Sequence, residues 1–200
     1  HRAPILAGLS IGRTRIEGLL EAADVMVTAR AMQALGAAVS RSGAAFEVLG
    51  QGVGGLARAD GVLDFGNSGT ASRLMLGVLA GYPMRVVLTG DASLCRRPMS
   101  RVLKPLAEMG LMVEGDKDTL PLTVEGTQDL LPILYDLPVP SAQVTSAIQR
   151  AGLHAPGRTT VIEPLPTRDH TERMLGFFGA EIDVQTRENG TRAVTVGGDA

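Results

Sequence analysis

The chain repeats itself three times, and a repeat visible in sequence limits the fold more than any single motif does. One copy runs from Gly12-Arg13-Thr14-Arg15-Ile16 to Ala34-Leu35-Gly36-Ala37-Ala38-Val39, a second from Met84-Arg85-Val86-Val87-Leu88 to Glu108-Met109-Gly110-Leu111-Met112-Val113, and a third from Gly157-Arg158-Thr159-Thr160-Val161 to Phe177-Phe178-Gly179-Ala180-Glu181-Ile182. The Arg recurs at 13, 85 and 158 and the Gly at 36, 110 and 179, a register that chance rarely keeps. Each copy reads as a β-branched run, a helix, a Gly and a stretch of alternating residues. The helices are expected to begin near Asp24, Pro98 and Asp169, where a capping carboxylate or a Pro in the first turn favours a start. Asp169-His170-Thr171-Glu172 has the spacing of a capping box. Gly36, Gly110 and Gly179 are expected as left-handed helix stops, each followed by a hairpin. Pro105 falls inside the second helix, where it removes one donor and should kink it.

A further helix precedes the second and third copies. Leu63-Asp64-Phe65, Asn67-Ser68-Gly69-Thr70 and Ala71 to Ala80 align with Tyr135-Asp136-Leu137, Ser141-Ala142-Gln143 and Val144 to Ala151, and both helices run into Ala-Gly. The same junction stands at Ala7-Gly8, only six residues after His1. The unit is therefore β-α-β-α-β-β, with sub-repeats of about 1–60, 61–133 and 134–200 and the first one cut short. That truncation, with a first residue that is not Met, leads us to expect a piece of a longer protein.

Composition narrows the class. The 200 residues are 44% hydrophobic but 3% aromatic, so the core must be built from Leu, Val, Ile, Ala and Met. A net charge of -2 without a basic run argues against a nucleic-acid surface, although local charge can still attract small anions. No run reaches the roughly 18 apolar residues of a membrane span, and the single Cys95 forms no internal disulfide, which fits a reducing cytoplasm.

Several junctions carry chemistry that is weak when read alone. Asn67-Ser68-Gly69-Thr70 and Ser141-Ala142-Gln143 open helices, whose first amides and positive end suit an anion; an Asn or Ser that merely caps its helix is the plainer reading of each. Arg97 before Pro98 and Arg168 before Asp169 stand at helix starts, where a guanidinium can grip a carboxylate or phosphate with two hydrogen bonds; exposed surface arginines are the alternative. His154 and His170 lack metal-type spacing.

Taken together, Leu63 to Arg73, Gly90-Asp91-Ala92-Ser93-Leu94-Cys95-Arg96-Arg97-Pro98-Met99, Pro140-Ser141-Ala142-Gln143 and Thr167-Arg168-Asp169-His170-Thr171-Glu172 resemble EPSP synthases, and specifically the bacterial class II enzymes, over nearly the whole chain. The resemblance implies the enolpyruvyl transferase fold, an inside-out α/β barrel of three such units, and the N-terminal, shikimate 3-phosphate-binding domain of a two-domain enzyme whose C-terminal domain is absent here. It implies transfer of the enolpyruvyl group of phosphoenolpyruvate to shikimate 3-phosphate, with no cofactor. By this resemblance Arg2, Ser141, Ala142, Gln143 and Arg168 belong to shikimate 3-phosphate, and Asn67, Gly69, Thr70, Arg73 and Arg97 to the phosphoenolpyruvate and glyphosate region. The family's catalytic Lys, Asp and Glu fall outside these residues, so the chain alone is expected to be inactive. UDP-N-acetylglucosamine enolpyruvyl transferases share the fold and use a loop Cys as an acid, but Cys95-Arg96-Arg97-Pro98 is tighter than their spacing. A non-catalytic α/β repeat module remains the alternative from another class. Gln149 and Arg150 depart from the family, which commonly has Leu-Leu there; if that face is buried, both must be paired or solvated.

Overall fold

The computed structural model describes residues 1–57, 59, 61–115 and 117–198. Leu122–Glu125 and the stretch Val194 to Gly197 alternate buried with less buried residues, as strands with one covered face do. The elements follow in the order α1 (Arg2–Leu9), β1 (Ile11–Ile16), α2 (Ala23–Ala34), β2 (Ala38–Ser42), β3 (Ala45–Gln51), β4 (Val62–Asp64), α3 (Gly69–Leu79), β5 (Arg85–Thr89), α4 (Ser100–Met109), β6 (Met112–Val113), β7 (Leu122–Glu125), β8 (Leu134–Asp136), α5 (Ala142–Gly152), β9 (Gly157–Glu163), α6 (His170–Phe177), β10 (Ile182–Thr186) and β11 (Arg192–Gly198).

These elements form three sheets with one plan. The orders are β4-β5-β7-β6, β8-β9-β11-β10 and β1-β3-β2. In the two complete sheets the first strand pairs parallel to the second, with Val62 against Val87 and Leu134 against Thr160, and the other pairings are antiparallel. The first sheet repeats the antiparallel part, β1 on β3 and β3 on β2. Helices α1, α3 and α5 are inside. Pro4 to Leu9, Leu74 to Leu79 and Val144 to Gly152 are all buried, the mark of helices enclosed on every side. Helix α4 has one buried face, Val102, Leu103, Leu106 and Met109, against exposed Arg101, Lys104 and Glu108.

Two sets of glycines keep the copies in register. Gly36, Gly110 and Gly179 have φ of 93°, 123° and 90°. The amide after each bonds the carbonyl five residues back, Ala37 to Met32, Leu111 to Leu106 and Ala180 to Leu175, so all three helices close with the Schellman pattern. Gly50, Gly126 and Gly198, at or just past the last strand of each unit, lie against the final carbonyls of the enclosed helices. A Cβ there would stand 2.1 Å from the Ser10, 2.1 Å from the Leu79 and 2.2 Å from the Gly152 carbonyl oxygen. Gly77 does the same between helices: its Cβ would lie 2.2 Å from the Ala147 oxygen, so α3 and α5 touch backbone to backbone.

Helix starts differ from expectation. Pro98 lies outside α4, whose N-cap is Met99; the helix runs through Pro105 to Met109. Asp169 is the N-cap of α6, but its side chain caps nothing, and no capping box forms. Glu172 turns inward instead, where the Gln149 amide and the Arg192 guanidinium both donate to its Oε1 at 3.0 Å. A buried carboxylate with two such donors gains more than one bonding an exposed amide. The N-cap of α3 is Ser68, whose hydroxyl accepts from the Ala71 amide, so Asn67 is not the cap.

Candidate functional site

Because Ser68 caps α3, the Asn67 side chain is free for other bonds. Its Nδ2 donates to Asp91 Oδ2 at 2.8 Å and its Oδ1 accepts from Arg97 Nη2 at 2.7 Å. Arg97 also donates to the Asn67 carbonyl and the Ser93 hydroxyl. Asp91 braces the 3-10 turn Leu94–Arg96 by accepting from the Leu94 amide at 2.8 Å. That amide, with the Asn67 bond and the Arg97 charge, holds the Asp91 carboxyl below its usual range. Cys95, on the same turn, points its thiol at the Gly90 carbonyl.

Arg73, one turn into α3, folds back over its own helix start. It donates to the Gly69 carbonyl at 3.1 Å, to Pro98 O at 3.1 Å and to Gln143 Oε1 at 3.4 Å. Gln143 belongs to the third repeat, and its Nε2 donates to Thr70 Oγ1 at 3.0 Å. Gly69 is the centre of this arrangement. A Cβ placed on it would lie 2.7 Å from Arg73 Nη1 and 3.3 Å from Arg97 Nη1, so two guanidiniums meet over one glycine. Burial first, and then the charges of Arg97 and Arg101, lower the affinity of Arg73 for its proton. Cations gathered against their own repulsion make a receptor for an anion.

At the next junction Ser141 is the N-cap of α5, its hydroxyl accepting from the Val144 amide at 3.4 Å and keeping its own proton to donate. Ala142 and Gln143 follow in the first turn, where amides have no partner within the helix. Ser146 lies one turn beyond Gln143 on the same side of α5. Its hydroxyl accepts from Arg2 Nη2 at 3.3 Å and shares a 2.6 Å bond with Thr171, which accepts from Arg2 Nε at 2.7 Å. Arg2 of the first repeat is thus tied to the third. Burial is the main cause that lowers the affinity of Arg2 for its proton, and the charge of exposed Arg168 acts in the same direction. An open cavity of about 500 Å³ lies between α2 and Asn67, lined by Asp24, Val27, Arg30 and Asp64.

Direct contacts therefore unite Asn67, Gly69, Thr70, Arg73, Arg97 and Gln143, with Ser141 and Ala142 on the same helix end. Arg2 joins through Ser146, and Arg168 is linked to Arg2 through charge alone. Sequence reasoning missed Asp91, Ser146 and Thr171, the residues that orient the arginines; Asp91 and Thr171 stood inside quoted motifs, whereas Ser146 carries no local signal. His154 lies away from this edge, buried edge-on against Tyr82 at 4.8 Å between ring centres. Among the described residues no cluster of His, Cys, Asp and Glu could hold a metal ion, and no helix is long and apolar enough to cross a membrane.

Three α/β repeats that turn cationic helix starts toward one edge define an enolpyruvyl transferase-type domain. The family model for EPSP synthase (3-phosphoshikimate 1-carboxyvinyltransferase) matches residues 1–199. The chain belongs to the EPSP synthase family. It is 52% identical over 199 residues to the 3-phosphoshikimate 1-carboxyvinyltransferase of a Methylorubrum extorquens strain, covering 98% of this chain and 44% of that protein. It is 50% identical over 199 residues to the enzyme of the same name from a Pseudomonas species, covering 99% of this chain and 44% of that one. The EPSP synthase structure from Acinetobacter baumannii superimposes with a TM-score of 0.90 at 42% identity, covering the whole of this chain and 44% of that structure's. The chain thus spans less than half the length of these relatives.

Proposed function

We propose that this chain is the N-terminal, shikimate 3-phosphate-binding domain of an enzyme that transfers the enolpyruvyl group of phosphoenolpyruvate to shikimate 3-phosphate. The observation that carries the proposal is the pairing of two guanidiniums over Gly69 with Gln143 bridging Arg73 and Thr70 across repeats. Arg97 and Arg73 bind the carboxylate and phosphate of phosphoenolpyruvate beside Asn67, Gly69 and Thr70. Ser141, Ala142 and Gln143, with Arg2 and Arg168, hold shikimate 3-phosphate. In that arrangement the 5-hydroxyl adds to the enol carbon and phosphate then leaves, and the contribution of this chain is positioning and charge stabilisation. Groups that move the protons lie in the remainder of the protein, so the chain alone has no turnover.

The test is coupled phosphate release with both substrates. The full-length protein should turn over and this segment alone should not; turnover by the segment would mean that the catalytic groups are misplaced. In the full-length protein Arg97→Ala should raise KM for phosphoenolpyruvate by about 10- to 100-fold, the loss of roughly one or two charge-assisted hydrogen bonds. An unchanged KM would remove Arg97 from the site.

A further inference from the structure

The core beneath Arg2 holds a second set of charges. Arg192 lies between two buried carboxylates, 3.2 Å from Glu163 and 3.0 Å from Glu172. Glu163 is satisfied, accepting from Thr145 at 2.7 Å and from Thr167 at 2.6 Å. Two carboxylates against one guanidinium leave a surplus negative charge, and Glu172 Oε2 has no partner among the described residues. Arg150 is a further buried cation, close enough for Glu172 to act on it through charge. It is fully buried on α5, donates through Nη1 to the Ser146 carbonyl at 2.7 Å, and leaves Nε and Nη2 without hydrogen-bond partners among the described residues. Burial, then the Arg2 charge, lower its pKa to about 9, with Glu172 acting in the opposite direction, so it remains a cation at neutral pH.

Ser146 joins the two arginines: Arg150 holds its carbonyl and Arg2 its hydroxyl. Burial lowers the affinity of Arg2 for its proton, and the Glu172 charge opposes that loss. Without a cation at position 150, Arg2 is the remaining counter-ion for the surplus carboxylate charge below it. We propose that Arg150 is a positioning residue for the anion site, neutralising that surplus from within the core and fixing Ser146 so that Arg2 stays directed at the phosphorylated substrate. This inference rests on the assignment of Arg2 to shikimate 3-phosphate.

The experiment compares full-length wild type, Arg150→Leu and Arg150→Lys by steady-state kinetics and by titration with shikimate 3-phosphate. Arg150→Leu leaves the buried carboxylates short of a counter-charge and should cost about 3–5 kcal/mol of stability, so thermal unfolding sets a temperature at which the variant is folded before it is titrated, and Arg150→Lys keeps the charge. The expected result is a KM and Kd for shikimate 3-phosphate raised about fivefold in Arg150→Leu, as for one unit charge removed within a protein's electrostatic reach. KM for phosphoenolpyruvate and kcat should change by less than about twofold, and Arg150→Lys should restore most of the affinity. A folded Arg150→Leu that binds shikimate 3-phosphate as wild type does would overturn the inference, as would equal weakening of both substrates. Wild type that fails to bind shikimate 3-phosphate would instead refute the underlying site assignment.

Discussion

Gly77→Ala perturbs the contact on which the site's geometry depends. The added Cβ would stand 2.2 Å from the Ala147 oxygen, 2.7 Å from its Cα and 2.8 Å from its carbonyl carbon, all backbone atoms that no rotamer change can move. Helices α3 and α5 must therefore separate by about 1 Å to restore ordinary contact. Overpacking of this kind costs about 1–3 kcal/mol or more, and the better helix propensity of Ala returns only about 1 kcal/mol. Because the clash is with backbone the upper end of that range applies, and a net loss of about 2 kcal/mol is expected in urea unfolding followed by circular dichroism. Function should suffer as well. Thr70 and Arg73 lie two turns and one turn before Gly77, and Gln143 one turn before Ala147, so separation lengthens the 3.0 and 3.4 Å bonds that Gln143 makes across the repeats. Two neutral or singly charged bonds at about 1 kcal/mol each predict affinity losses of roughly 5- to 30-fold. Ala147→Gly should not rescue the variant, because the clash is with the carbonyl and not the methyl group. Stability within about 0.5 kcal/mol of wild type, or rescue by Ala147→Gly, would refute the reasoning.

Two further perturbations test other parts of the account. Gly69→Ala brings its methyl group against Arg73 Nη1 and Arg97 Nη1, the movable ends of side chains, so the fold should survive with a stability change under about 1 kcal/mol while KM for phosphoenolpyruvate rises more than KM for shikimate 3-phosphate; equal effects on the two would count against the placement. His154 is buried and its pKa is lowered to about 4, so the folded state keeps it neutral while the unfolded chain binds a proton from about pH 6.5 downward. Stability should fall by about 3 kcal/mol as pH drops from 6.5 to 4 and His154→Leu should lose that slope, which urea unfolding at a series of pH values reads directly; a slope that persists in the variant would assign it to other groups.

What could be read from the sequence was what neighbouring residues decide. The Schellman closures at Gly36, Gly110 and Gly179 and the hairpins after them need only local backbone preferences, so the repeat and its succession of elements followed. Gly50, Gly126 and Gly198 also recur, but their reason is a carbonyl of the enclosed helix, invisible until the sheets are in place. Capping was misjudged where a distant partner decides it: Glu172 leaves the start of α6 because Gln149 and Arg192 are waiting in the core. The grouping of Asn67, Gly69, Thr70 and Arg73 was legible because they share one junction. Arg97 and Gln143 reach them from other segments, and the anchoring of Arg2 by Ser146 and Thr171 depends on α1 packing against α6 and on the Arg2 side chain reaching α5. Gln149 found its partner in Glu172, whereas Arg150 makes a single hydrogen bond among the described residues despite complete burial, and the charge-balance proposal starts from that departure.

Convergence of the three repeats is tested most directly by amide chemical shifts in the full-length protein, segmentally labelled across these 200 residues and titrated first with shikimate 3-phosphate and then with phosphoenolpyruvate. The account predicts saturable shifts at Arg2, Ser141, Gln143 and Arg168 with the first ligand and at Asn67, Gly69 and Arg97 with the second. Shifts confined to other faces, or saturation that moves residues of one repeat alone, would contradict it.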